Sequence, residues 1–124
     1  MKIKVALIGL GRVGSLFLGQ IINKKSSMEI VMVVEPNETP GKLIAEEEGI
    51  PVGSIEDIIA KGEEIDLVFD LTANPEVRQQ LRTAYQKANN RHTIIVPDIV
   101  ASFIYNLLTE KDLTAARRSL TAYD

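Results

Sequence analysis

Two rhythms alternate along the 124-residue chain. Continuous apolar runs occur at Ile3 to Ile8, Ile30 to Val34, Leu67 to Leu71 and Thr93 to Val96, with a shorter one at Pro51 and Val52. Runs of this length, rich in β-branched residues, predict strands buried on both faces. Helical patterns fill the intervals. Val13, Leu16, Phe17 and Ile21 share one face of a helix that ends near Lys24 and Lys25, where cations favour a C-terminus. Thr39-Pro40 supplies a cap and a first-turn proline for a helix through LIAEEE to Gly49. Ser54 with Asp57 resembles a capping box for a helix closing at Gly62. Pro75 opens a longer helix to about Asn89. Asp98 or Ser102 begins another through Leu108, and a short last helix follows Thr109.

Strand and helix thus alternate five times. Apolar strands joined by helices need a parallel sheet covered on both faces. Right-handed crossovers then predict an α/β fold: a three-layer, doubly wound parallel sheet of five strands in the order 3-2-1-4-5. No linker interrupts the pattern, so residues 1–124 are expected to form a single domain.

Composition narrows the chemistry. The chain is 45% hydrophobic and 25% charged, ordinary for a globular protein. No apolar run approaches membrane-spanning length, and the apolar start ends at glycines, as a strand does and a cleavable leader does not. Without cysteine there is no disulfide, thiolate nucleophile or cysteine metal site, and the expected location is the cytoplasm. A net charge of −3 without a basic stripe argues against nucleic acid. Lys24, Lys25, Arg117 and Arg118 read as solvated surface, and Glu46, Glu47 and Glu48 as a solvated helix face with no metal.

The stretch GLGRVG follows the first strand and opens the first helix. In this context each glycine of a G-x-G-x-x-G motif has a task. Gly9 makes the tight turn, Gly11 lets a pyrophosphate approach the backbone, and Gly14 lets the helix pack closely. The helix N-terminus offers unpaired N–H groups to the phosphates. Glu35 ends the second strand, where a carboxylate accepts hydrogen bonds from the adenine ribose and repels a 2′-phosphate. Pro36, Asn37 and Glu38 offer no cation to such a phosphate, so NAD is favoured over NADP. Arg12 lies either along the pyrophosphate or in solvent. The alternative reading of the glycines is close packing alone.

A second constellation, DLVFDLTANPEVR at residues 66 to 78, reaches the same carboxyl edge of the sheet. Thr72, Ala73 and Asn74 would lie near the middle or nicotinamide half of a dinucleotide, and Asn74 is placed to cap the helix opened by Pro75. Together GLGRVG, VVEPN, GIPVGSIEDII and IDLVFDLTANPEVR resemble the NAD-binding Rossmann domain of the glucose–fructose oxidoreductase and inositol dehydrogenase family. They are also similar to the equivalent domains of aspartate and homoserine dehydrogenases and of dihydrodipicolinate reductase, which DLTANPE echoes most. The resemblance covers residues 3 to 100. It implies that Gly9, Gly11, Arg12, Val13 and Gly14 form the phosphate loop, that Glu35 is the ribose acid, and that Leu71, Thr72, Asn74 and Pro75 lie under the cofactor.

The resemblance also implies a second, substrate-binding domain, and the chain departs from that pattern. After the fifth strand the sugar dehydrogenases carry Glu-Lys-Pro; IIVPDIVASF keeps the proline and lacks the lysine. Residues 98–124 suffice for two helices only. His92 precedes the fifth strand at the wrong edge and reads as a turn residue, and Asp98 reads as a helix N-cap. No paired groups form an acid–base system, so no catalytic residue is assigned. Three readings stay open. One is an NAD(H)-binding module with a regulatory role, like dehydrogenase-like segments at the front of some bacterial signalling proteins. Another is an oxidoreductase whose catalytic part lies outside this chain, in a missing portion or a separate partner. The last is a Rossmann scaffold that binds no nucleotide. Phe103, Ile104, Leu107 and Leu108 either cover the last strand or form a homodimer face.

Overall fold

The computed structural model describes residues 2–24 and 27–109. Four strands, β1 (Ile3–Ile8), β2 (Met28–Val34), β3 (Leu67–Asp70) and β4 (Ile94–Val96), form one parallel sheet in the order β2-β1-β3-β4. Among the described residues four α-helices lie between the strands, α1 (Arg12–Lys24), α2 (Pro40–Glu47), α3 (Ile55–Ala60) and α4 (Pro75–Lys87), and a fifth, α5 (Asp98–Thr109), follows β4. The expected final helix, with Lys25, Arg117 and Arg118, lies outside the described residues.

The doubly wound topology is as the pattern predicts, with one correction. The third predicted strand, Pro51 and Val52, is reduced to a single parallel bridge between Val52 and Val33 on the outer side of β2. The Val33 N–H donates to the Pro51 carbonyl, and the Gly53 N–H donates to the Val33 carbonyl, each at 2.9 Å. Pro51 has no N–H to extend the ladder backwards. Ser54 already caps α3, so the ladder cannot extend forwards either. The predicted order 3-2-1-4-5 therefore survives as four strands flanked by one bridge.

Period-two alternation on β1 divides the core. Val5 and Leu7 face one side with Phe17, Leu18, Ile21, Val33 and Phe69. Ala6 and Ile8 face the other with Ile58, Ile65, Val68 and Leu81. Helices α1 and α5 pack together on the first side, and α3 and α4 on the second. The Phe17 and Phe69 rings meet at 5.0 Å between centroids, inclined by 51°. Both are fully buried, each worth roughly 1.5–3 kcal/mol relative to exposure. This anchors α1 to the centre of the sheet.

The helix caps follow the sequence signals. Thr39 accepts from the Lys42 N–H with Pro40 at the first position of α2. Ser54 and Asp57 form both halves of the capping box. Asn74 caps α4 by accepting from the Glu76 N–H, with Pro75 following. Asp98 is not a cap: it is the first residue of α5, and the Ala101 N–H reaches back to the Pro97 carbonyl. Its carboxylate is turned to Arg78 instead, at 3.6 Å. Among the residues of the expected dimer face, Ile104 packs on the core, whereas Phe103 and Leu107 are exposed with Ile94, Ile99 and Val100.

Candidate functional site

The loops after β1 and β3 meet at the carboxyl edge of the sheet. The Gly9 N–H donates to the Val34 carbonyl, and the Leu71 N–H donates to the Ile8 carbonyl, both at 2.8 Å. Gly9 has φ +94°, a region that residues with a Cβ avoid. A Cβ there would lie 3.0 Å from the Thr72 Cγ2 and 3.1 Å from the Leu71 carbonyl carbon. The two constellations read from the sequence are thus in contact.

The three motif glycines are glycine for different reasons. A Cβ on Gly14 would lie 1.9 Å from the Gly9 carbonyl oxygen, so α1 approaches the loop too closely for any side chain. Gly11 has no left-handed φ, and a Cβ built on it would find no atom within 4 Å. Nothing in the protein's own packing requires glycine at this position. Gly11, Arg12 and Val13 are all exposed at the start of α1. The Gly11 carbonyl accepts the first helical bond, from the Ser15 N–H, so Gly11 stands at the cap position of α1.

Glu35, 8% exposed, follows β2. One carboxylate oxygen accepts from the Leu10 N–H at 2.8 Å and the other from the Asn37 N–H at 2.9 Å. The acid therefore ties the glycine loop to the turn after β2. Four lone-pair positions on a carboxylate leave two for further donors. Lys42 is paired with Glu38 one helical turn away, at 3.2 Å.

On the second loop, Leu71 is buried, Thr72 is half-buried, and Asn74 and Pro75 are exposed. Ala73 between them has φ +54°. Sequence reasoning missed what supports this loop. Asp70, fully buried, accepts from the Thr72 N–H and the Thr72 hydroxyl. Its signal was a charged residue inside the otherwise apolar LVFDL, since unpaired acids are almost never fully buried. Gly41 was missed as well: a Cβ there would lie 2.3 Å from the Ser15 Oγ, so α2 rests directly on α1 beside the loop.

The remaining titratable candidates lie elsewhere. His92 is at the amino edge, 2.6 Å from Asp66, whose other oxygen accepts from the Lys4 N–H at 2.8 Å. These two hydrogen bonds hold the Asp66 carboxyl below its ordinary range. Burial raises the Tyr85 hydroxyl to about 12 on the opposite face of the sheet from α1. Glu46, Glu47 and Glu48 are exposed, and no group of acids and histidines among the described residues is arranged for a metal. No described helix is long and apolar enough to cross a membrane.

A glycine loop between a parallel strand and a helix, with an acid at the end of the next strand, defines a dinucleotide-binding Rossmann domain. The chain belongs to the oxidoreductase family with an NAD-binding Rossmann fold, matching it over residues 3–120. No individually curated protein matches it. Among solved structures, the myo-inositol 2-dehydrogenase of Lactobacillus plantarum is similar over 90% of this chain and 34% of its own, at 17% identity and a TM-score of 0.61. The scyllo-inositol dehydrogenase of Lactobacillus casei, solved with bound NAD(H) and scyllo-inositol, is similar over 92% of this chain and 34% of its own, at 20% identity and a TM-score of 0.56. A homoserine dehydrogenase from Thiobacillus denitrificans is 26% identical over 77% of this chain and 23% of its own, with a TM-score of 0.54. The chain thus spans between 23% and 34% of the length of these three enzymes.

Proposed function

We propose that the chain, acting as a single domain, holds NAD(H) in preference to NADP(H) across the loops after β1 and β3. The observation that carries this reading is Gly11. It is a glycine that neither backbone conformation nor packing explains, at the mouth of a helix N-terminus suited to phosphate. The residues present fit the cofactor. The backbone from Gly9 to Gly14, with Arg12 and Val13 at its surface, takes the pyrophosphate. Glu35 keeps lone pairs for the adenine ribose while pinning Leu10. Leu71, Thr72, Asn74 and Pro75 lie under the other half.

Preference for NAD rests on charge. A 2′-phosphate would meet the Glu35 carboxylate, and residues 36–38 bring no cation. When bound, the nicotinamide supplies a centre that gives or accepts a hydride. The described residues at this edge bind and orient; none is paired as a general acid and base. The proposed role is therefore a cofactor-holding module of oxidoreductase type, without a complete catalytic site among the described residues. The cysteine-free composition supports a cytoplasmic setting. Exposed Phe103, Leu107 and Ile94 support self-association as a homodimer, which light scattering at tens of micromolar would read as twice the chain mass.

The test is a calorimetric titration with NAD, NADH, NADP and AMP. Saturable binding of NAD or NADH, tighter than NADP, is expected. Absence of binding for all four at millimolar concentration would overturn the reading in favour of a packing scaffold.

A further inference from the structure

We propose that Asp70 is a positioning residue that sets the second cofactor loop, and so governs the nicotinamide-side half of the dinucleotide without affecting the adenosine half. This rests on the reading of the site given above.

A fully buried carboxylate is costly unless it is paired. Asp70 is not closely paired. The Nε of Arg78 is 3.7 Å from its Oδ2, beyond hydrogen-bond distance, and both atoms are buried without a hydrogen-bond partner. What Asp70 does hold is the loop. Its Oδ1 accepts from the Thr72 hydroxyl at 2.7 Å and from the Thr72 N–H at 3.1 Å. The Thr72 hydroxyl in turn accepts from the Asn74 N–H at 3.1 Å, and the Asn74 side chain accepts from the Glu76 N–H at 3.0 Å. This relay runs along the whole loop and brackets Ala73, held in the left-handed region that alanine disfavours. A conformation fixed by side-chain contacts against its own backbone preference is one built before the ligand arrives.

The acid suits the task because one anionic oxygen can take two donors strongly. It parallels Glu35, which pins the glycine loop through Leu10. Each loop of the site is thus tied down by one buried carboxylate, one per half of the ligand. Beside the second loop a cleft of about 770 Å³ is lined by Ala73, Pro75, Arg78 and Asp98. The loop therefore borders open space, and the relay supplies support that packing there does not.

Affinities for NAD and AMP are compared in the wild type and in Asp70→Asn, Thr72→Val and Thr72→Ser, with thermal melting alongside. Asp70→Asn keeps the shape and removes the charge. Thr72→Val removes the hydroxyl that links Asp70 to Asn74, and Thr72→Ser keeps it. The expected result is NAD affinity lowered roughly tenfold in Asp70→Asn and Thr72→Val, AMP affinity unchanged in both, and NAD affinity largely restored in Thr72→Ser. Equal losses for NAD and AMP, or no loss of NAD, would overturn the proposal while leaving the glycine-loop site standing. If Asp70→Asn does not fold, Asp70→Ser, smaller and uncharged, decides by the same criterion, with the Thr72 variants as support only. If the wild type binds neither nucleotide, the reading of the site fails and the proposal falls with it.

Discussion

The two edges of the sheet are built from the same kinds of residue and put them to different use. At the amino edge, Asp66 accepts from the Lys4 N–H and meets His92, and Thr93 donates to the Ile65 carbonyl while accepting from Asn90. Each of these polar groups answers a need of the fold. At the carboxyl edge, Glu35 and Asp70 hold two loops in place around Gly11, where the fold itself needs nothing. The difference teaches how to find a site in a parallel sheet: look for the residue whose type the structure does not require, surrounded by residues that it does.

The comparison is broken most severely at Gly14. Gly14→Ala places a methyl group 1.9 Å from the Gly9 carbonyl oxygen and forces α1 off the loop. It should destabilise the protein by about 3 kcal/mol or more, seen as a lowered denaturant midpoint. Glu35→Ala should act on both counts. It strips the buried Leu10 N–H of its partner, costing about 1–3 kcal/mol of stability, and it weakens NAD binding by a similar amount. Unchanged affinity in protein that remains folded would remove Glu35 from the ribose.

The amino edge gives a pH signature. The Asp66 carboxyl is held below its ordinary value of 3.8, chiefly by the His92 hydrogen bond and then by the Lys4 N–H. A depressed folded-state value means that this contribution is present above the unfolded value and is lost as pH falls through the folded one. Urea midpoints taken from about pH 6 down to about pH 3 should fall more steeply in the wild type than in Asp66→Asn. The smallest effect belongs to Tyr85. Its hydroxyl is buried without a partner, so Tyr85→Phe should leave stability unchanged or raise it by up to about 1 kcal/mol.

Much of this was legible in the chain. The apolar runs gave the strands, Thr39, Ser54 and Asn74 gave the caps, and GLGRVG with Glu35 pointed to one edge of the sheet. Period and capping are local properties, so a local reading recovers them. Besides Gly41, three features were not legible, and each depends on what lies across the fold. Whether Pro51 and Val52 form a strand depends on how many bonds β2 can share with a segment lacking one N–H. Whether Asp98 caps a helix depends on Arg78, which reaches it from α4. Asp70 looks like a flaw in an apolar strand until Thr72 is seen folded back onto it.

The central claim is that Gly11 is glycine for the sake of a phosphate, and the most direct test is a paired measurement on Gly11→Asp. The site of substitution is open, and aspartate is a favourable residue to precede a helix, so the melting temperature should stay the same or rise. The added carboxylate would occupy the place of the pyrophosphate and repel it. The account predicts NAD affinity lowered at least about a hundredfold in a fully folded protein, on the order of 3 kcal/mol. A folded Gly11→Asp variant that binds NAD as the wild type does would contradict it.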